Sequence, residues 1–176
     1  MHRLVIVGGS TMGGALLEGL LAASWARPDE IAVVEQVEAR RHELARQFPG
    51  IHVEGQLVAG DGLVVAVKPA DVEATCRAVG AVAPSARVLS IAAAVPTVRL
   101  ESWLGDGARV VRAMPNTPAA VGAGAAAIAP GRLATAADLD WAESVLAAVG
   151  RVVRVPEHLI DAVTGLSGSG PAYIFL

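Results

Sequence analysis

Short β-branched runs alternate with helical stretches along this chain. Leu63 to Val67 is the clearest run, because no polar side chain interrupts it and Pro69 ends it by removing a backbone donor. A run of this kind is typical of a central strand that is buried on both faces of a parallel sheet. Five more strands are predicted to complete that sheet, at residues 4–7, 30–35, 51–53, 87–91 and 109–112. A further strand is predicted at residues 151–155.

Helices are predicted between these strands, beginning with residues 11–23, where leucines recur on one face at helical spacing. The other predicted helices cover residues 37–47, 71–79, 97–104, 133–149 and 157–166. Residues 167–170 (Ser-Gly-Ser-Gly) are predicted to break the last helix, and Pro171 suits the first turn of a new one. The alternation predicts an α/β fold, with a doubly wound, mostly parallel sheet and helices on both faces.

Composition and charge narrow the function classes. The chain is 53% hydrophobic but only 3% aromatic, which suits helices packed on a Val-rich sheet. A net charge of -3 without a basic run argues against nucleic-acid binding. The first apolar run is too short for a signal peptide or a membrane span, so we expect a cytoplasmic protein with no membrane partner. Cys76 is the single cysteine and is expected to be an ordinary core residue.

A glycine-rich turn joins the first strand to the first helix, where the pyrophosphate of a dinucleotide meets helix N-terminal amides. Its residues are Gly8, Gly9, Ser10, Thr11, Met12 and Gly13. Ser10 stands where the G-x-G-x-x-G pattern has its second glycine. Glu35 follows 22 residues after Gly13, at the end of the second strand, where an acid can hold ribose hydroxyls. A plain strand-to-helix turn and a solvated carboxylate are the alternatives.

Two later loops follow predicted strands and could border a nicotinamide, since ligands of open parallel sheets lie beyond the carboxyl ends of the strands. The first loop comprises Ala66, Val67, Lys68 and Pro69, although a lysine placed like Lys68 is more often a solvated strand-end side chain than a catalyst. In the second loop, Asn116 stands between two prolines, so a stiffened turn would present its amide to a ligand.

Three segments resemble the signature segments of pyrroline-5-carboxylate reductases. They are residues 66–69, 114–118 and 161–173, of which the last, DAVTGLSGSGPAY, is the most specific. The resemblance implies a Rossmann-like domain over residues 1–156 that binds NADPH or NADH. It also implies that residues 157–176 begin a helical domain that forms a homodimer, or a higher homo-oligomer, and completes the imine pocket. The implied reaction is the reduction of 1-pyrroline-5-carboxylate to L-proline, the last step of proline biosynthesis.

The resemblance also assigns Glu157 to the substrate pocket, although a carboxylate is favoured at any helix N-terminus. The chain departs from the family pattern at two places: Ser10 replaces a glycine, and the link over residues 55–61 is shorter than usual. Both departures are expected to affect the affinity or the orientation of the bound cofactor. Glu35 should favour NADH by repelling a 2′-phosphate, and Arg40 and Arg41 should offset that repulsion.

No residue stands out as a general acid, and no metal site is predicted. The apolar residues 172–176 suggest that the natural protein continues, and that this chain alone lacks imine reductase activity. Three other interpretations remain open at this stage: another Rossmann imine or β-hydroxyacid reductase, a non-catalytic dinucleotide-binding module, and an α/β scaffold that binds no nucleotide.

Overall fold

The chain folds around one twisted sheet of eight strands, as seen in a computed structural model that describes residues 2–170. The strands are β1 (Leu4–Val7), β2 (Ile31–Val34), β3 (His52–Glu54), β4 (Gly62–Val65), β5 (Arg87–Ser90), β6 (Arg109–Met114), β7 (Gly124–Pro130) and β8 (Gly150–Arg154). Their order across the sheet is β3-β2-β1-β4-β5-β6-β7-β8, and only β6 and β7 run antiparallel to each other. The predicted α/β class and the central position of β4 are confirmed.

Helices cover both faces of the sheet. They are α1 (Thr11–Ala22), α2 (Glu38–Gln47), α3 (Val72–Val82), α4 (Thr97–Leu104), α5 (Ala136–Leu146) and α6 (Ile160–Val163). The first, second and fifth helices pack on one face through a cluster that includes Leu17, Leu44 and Leu146. The third and fourth helices pack on the other face, where Leu100 and Cys76 are fully buried. Within residues 2–170, no helix has the length and hydropathy that a bilayer crossing requires.

The core position of Cys76 matches its predicted role as an ordinary apolar residue. Burial raises the pKa of its thiol to about 11, so the reactive thiolate is scarce at neutral pH.

Strand β7 was not predicted, and the expectation that six strands complete the sheet is wrong. Its sequence, Gly-Ala-Ala-Ala-Ile-Ala-Pro, has one β-branched residue and therefore little strand propensity. Tertiary pairing overrides that preference, because β7 hydrogen-bonds to β6 on one side and to β8 on the other. The three alanines and Ile128 of residues 126–129 are buried there. The sheet thereby extends beyond the six predicted strands.

The predicted break in the Ser-Gly-Ser-Gly segment falls at Ser169: Ser167 and Gly168 still belong to a helical turn, and Gly170 is helical again. After α6 the backbone widens into a π-helical turn over Thr164–Gly168. The amide of Ser169 donates to the Thr164 carbonyl at 2.8 Å, which is the hydrogen bond that defines this wider turn. Ile160 of α6 packs on Ala127 and Ala129 of β7, so this segment lies against the sheet. The helix predicted from Pro171 onward lies outside the described residues.

The strand order reverses direction at β1. The chain runs outward from β1 to β2 and β3, then crosses over to β4 and continues through β5 and β6. In open parallel sheets the ligand crevice lies beyond the carboxyl ends of the strands at such a switch point. The glycine-rich turn after β1 and the loop after β4 therefore meet at one edge of the sheet.

Candidate dinucleotide site

Two glycines give the turn after β1 its shape. Gly8 has φ +106°, and a Cβ atom there would lie 2.6 Å from the carbonyl oxygen of Ala66. Only glycine adopts that conformation without strain while approaching the next strand so closely. At Gly13 a Cβ atom would overlap the Gly8 carbonyl oxygen, so α1 can begin tight against β1. These are the two structural roles of the first and third glycines in a dinucleotide-binding turn.

Ser10 occupies the start of α1 at the outer side of this turn. It has φ -77° and ψ -160°, an extended conformation that any residue can adopt, and its side chain is exposed and makes no capping hydrogen bond with the described residues. The first amides of a helix lack intrahelical partners, so the backbone after Ser10 presents donors to an anion. Thr11 and Met12 follow at this end of the helix.

Glu35 braces the glycine-rich turn. Its Oε2 accepts a hydrogen bond from the Gly9 amide at 3.1 Å, and its Oε1 accepts from the Val37 amide at 2.9 Å. The carboxylate is therefore fixed between the turn and the loop that follows β2. Its remaining lone pairs are free to accept from other donors, and its contact with ribose hydroxyls stays a prediction.

Both arginines that follow Glu35 are tied to backbone carbonyls. Arg40 donates from Nε to the Gly9 carbonyl at 2.9 Å. The backbone of Gly9 is therefore held on both sides, because its amide donates to Glu35 and its carbonyl accepts from Arg40. Arg41 donates from one terminal nitrogen to the carbonyls of Glu35 and Gln36, at 3.0 and 2.7 Å. Sequence reasoning placed these arginines near the cofactor but missed their role in shaping the turn.

The two loops predicted to border a nicotinamide differ in how far their side chains are exposed and hydrogen-bonded. Ala66 lies under Gly8 and its amide donates to the Val7 carbonyl at 2.8 Å, which joins the β4 loop to the glycine-rich turn. Val67 is half-buried, whereas Lys68 and Pro69 are exposed beyond it. Asn116 is tied to the protein at both polar atoms: its Oδ1 accepts from the Ala125 amide at 2.8 Å and its Nδ2 donates to Ser167 at 3.0 Å.

The chain is similar to known proteins over nearly its whole length. Residues 3–95 match the family described as NADP oxidoreductase coenzyme F420-dependent. A pyrroline-5-carboxylate reductase from Synechocystis sp. is 41% identical, and the match covers 99% of this chain and 66% of the relative. Another, from Corynebacterium melassecola, is 36% identical, with 100% of this chain and 67% of the relative covered. The chain belongs to the pyrroline-5-carboxylate reductase family.

A solved structure supports the same assignment. A pyrroline-5-carboxylate reductase from Coxiella burnetii superposes with a TM-score of 0.91 at 33% sequence identity, covering 99% of this chain and 66% of the other. This chain thus spans 66% of the length of the Synechocystis relative and 66% of the length of the Coxiella structure. The resemblance drawn from the three sequence segments is confirmed.

Glu157, which the reductase resemblance assigns to the substrate pocket, lies in a network of its own. Its Oε1 accepts from the Thr97 amide at 2.7 Å and from Arg112 at 3.2 Å, and its Oε2 accepts from the Thr97 hydroxyl at 2.6 Å. Partial burial raises the pKa of the Glu157 carboxyl, but the hydrogen bonds from Thr97 and the Arg112 guanidinium together outweigh burial and leave this pKa lowered. Its contact with substrate stays a prediction.

Arg112 and Thr97 are residues of this network that sequence reasoning missed. The Arg112 side chain is only 7% exposed, and its guanidinium also reaches Asp161 at 3.3 Å. The signal was present in β6, where an arginine stands at a core-facing position between Val110 and Met114. A charge at such a position requires a buried partner. Within residues 2–170 no group of three or more His, Cys, Asp or Glu side chains is placed to hold a metal ion.

Proposed function

We propose that this chain is the cofactor-binding half of an enzyme that reduces 1-pyrroline-5-carboxylate to L-proline with NADPH or NADH. The observation that carries the proposal is the close approach of Gly8 to Ala66 at the switch point of the sheet, in a chain 41% identical to a curated reductase of this name. The glycine-rich turn presents helix amides to a pyrophosphate, and Glu35 lies where the adenosine ribose would be held.

The chemistry asks for orientation more than for covalent help. A bound nicotinamide would supply the hydride, and a protonated imine carbon is already electrophilic. The residues of this chain would hold the dinucleotide along the carboxyl edge of the sheet, with the loops after β4 and β6 beside its reactive end. Fixing that end relative to the imine and excluding water are the main contributions that the protein makes to the rate.

The proposal also covers properties of the reductase that follow from the family resemblance. They include a division into a cofactor domain over residues 1–156 and a helical domain from residue 157 onward, a homodimer or higher homo-oligomer, a small imino acid as the partner molecule, and a cytoplasmic location. Glu157 is assigned to substrate binding on the family resemblance alone. Dual use of NADH and NADPH fits the surroundings of Glu35, because Arg40 and Arg41 place positive charge on the backbone carbonyls of Gly9 and Glu35.

A charge placed at Thr11 tests the position of the pyrophosphate. Thr11 is exposed in the first turn of α1, where an acid is favourable to the helix, so Thr11→Glu should not destabilise the fold. Next to a pyrophosphate, the same carboxylate should weaken NADH and NADPH binding about tenfold or more. The matched control is Thr11→Gln, which has the same size and no charge and should bind within about twofold of the original chain.

Titration with NADH and with NADPH, followed by nicotinamide fluorescence, measures all three proteins. Saturable binding of both coenzymes by the unaltered chain supports the proposal. If Thr11→Glu and Thr11→Gln bind equally well, the pyrophosphate does not lie on this turn.

A further inference from the structure

Helix α4 begins without a cap from its own sequence. Pro96 precedes Thr97 at the N-terminus of this helix, and a proline side chain has no oxygen to accept from the first amides. Glu157 supplies that acceptor from 60 residues away, because its carboxylate binds both the amide and the hydroxyl of Thr97. The start of α4 is therefore fixed by a residue that lies far along the chain rather than by its own loop.

Arg112 anchors the same carboxylate to the sheet. Its side chain is more than nine-tenths buried in β6, and its Nε has no hydrogen-bond partner within the described part of the chain. Its charge is balanced by Glu157 at 3.2 Å and by Asp161 at 3.3 Å, of which the Asp161 side chain is 87% exposed. An exposed carboxylate contributes little to an ion pair, so Glu157 is the main partner of the buried guanidinium.

The loop between β5 and α4, residues 91–96, is held at both ends. At its start, the Ile91 amide donates to the Val65 carbonyl of β4 at 3.1 Å. At its end, Glu157 holds Thr97. In between, Ala94 has φ +62°, a conformation that costs free energy for a residue other than glycine and persists only where the surroundings impose it. The two anchors impose it together with the core packing of Ala92 and Val95, which are buried within the loop.

The position of this loop gives the anchors a functional consequence. It follows the carboxyl end of β5, next to the loop after β4, on the side of the switch point opposite to β2 and Glu35. A dinucleotide that places its adenosine over β2 and its pyrophosphate on the glycine-rich turn extends its nicotinamide toward β4 and β5. The β5–α4 loop is then a wall of the nicotinamide half of the groove.

We infer that Glu157, anchored by Arg112 and bound to Thr97, is a positioning residue that shapes the β5–α4 loop for the nicotinamide half of the cofactor. The inference rests on the proposed function. It differs from a role in substrate contact, because the carboxylate acts through Thr97 and through the loop. It also differs from a purely structural cap, because the effect should be confined to one half of the dinucleotide.

Two ligands separate the halves of the groove. NADH occupies both halves, whereas ADP-ribose has the adenosine, the pyrophosphate and the second ribose but no nicotinamide. Glu157→Gln removes the charge beside Arg112, and it should weaken NADH binding about fivefold or more while ADP-ribose binding changes less than about twofold. The matched control is Glu143→Gln, which removes a carboxylate from Arg154 on the α5–β8 side of the molecule and should change neither affinity.

A milder pair of variants covers the case in which Glu157→Gln does not fold. Thr97→Val keeps the backbone amide but removes the hydroxyl that donates to Glu157, and it should weaken NADH binding in the same selective way. Thr97→Ser restores the hydroxyl and should restore the affinity. A merely structural cap would lower the melting temperature in both series and leave the ratio of the NADH and ADP-ribose affinities unchanged.

Calorimetric titration with both ligands, together with melting temperatures, gives the answer. Selective loss of NADH affinity in Glu157→Gln or Thr97→Val, with recovery in Thr97→Ser, supports the inference. An unchanged affinity ratio in every folded variant overturns it, as does equal loss of both ligands. If the unaltered chain binds neither NADH nor ADP-ribose, the proposed function fails instead.

Discussion

Ser10 shows how one residue can depart from a motif while the motif's geometry survives. The glycines that the turn cannot replace are Gly8, with its positive φ, and Gly13, which lies against the Gly8 carbonyl. Ser10 has an extended backbone that tolerates a side chain, so the fold does not require glycine there. The consequence of the serine should therefore fall on cofactor affinity, where a side chain keeps the backbone away from the phosphates.

Ser10→Gly should tighten binding of both NADH and NADPH by roughly threefold, because the backbone can approach the pyrophosphate more closely. The free energy of unfolding should fall by only a few tenths of a kcal/mol, as for other serine-to-glycine changes at a helix N-cap. Fluorescence titration and chemical denaturation measure the two effects. Ser10→Ala is the control, since it removes the hydroxyl but keeps Cβ and should leave the affinity nearly unchanged. Unchanged or weaker binding by Ser10→Gly would contradict the placement of the phosphates.

At the scale of elements, the predictable parts of the fold are those whose pattern is strong by itself. The apolar run of β4, the leucine face of α1 and the span of α4 were all predictable, because burial on both faces or on one stripe leaves a clear periodicity. Strand β7 was not, because its alanines have no local preference for a strand and only β6 and β8 impose one. The π-helical turn likewise depends on packing, since its glycines locally favour a break.

The N-terminus of α4 should make stability depend on pH through Glu157. The folded-state pKa of this carboxyl lies below its ordinary value of 4.5, so the unfolded chain binds more protons in that range and stability falls as pH falls through the folded pKa. At pH 7, Glu157→Gln should lower the free energy of unfolding by roughly 1.5–3 kcal/mol, the usual range for a hydrogen bond to a charged group.

Below pH 4.5 the difference between Glu157→Gln and the unaltered chain should shrink, because a protonated carboxyl resembles the neutral amide. Denaturant unfolding of both proteins at pH 7, pH 5 and a series of values under 4.5 measures that difference. Asp161 faces Arg112 from α6 but is largely exposed, so the buried guanidinium loses its main partner as Glu157 is protonated. If the difference in the free energy of unfolding between the two proteins stays constant across this range, the ionised carboxylate does not stabilise α4.

At the scale of the whole molecule, the site could be located from the sequence more easily than it could be described. The glycine-rich turn, Glu35 and the β4 loop were predictable because each follows a recognisable strand, and parallel strands bring their carboxyl ends to one edge. The hydrogen bonds from Arg40 to Gly9, from Asn116 to Ser167 and from Thr97 to Glu157 were not predictable. They join segments that are distant in sequence, and no local pattern encodes which segments will meet.

The 176-residue chain should bind a reduced nicotinamide dinucleotide without turning over pyrroline-5-carboxylate. Rate depends on holding the imine at near-attack distance, and the family resemblance assigns much of the imine pocket to helices beyond these residues. A steady-state assay with pyrroline-5-carboxylate and NADH or NADPH should show no activity above background. Turnover close to that of a full-length reductase from the same family would mean that the pocket is complete within this chain.

The bond between Thr97 and Glu157 also bears on the order in which this chain can fold during synthesis. It closes a loop of 60 residues, so α4 cannot gain its cap until the ribosome has released the segment around Glu157. Until then Arg112 lacks its main counter-ion, although β6 and its neighbouring strands have already left the exit tunnel. The nascent sheet therefore carries an uncompensated cation on its α4 side, and the arrival of Glu157 is the step that neutralises it.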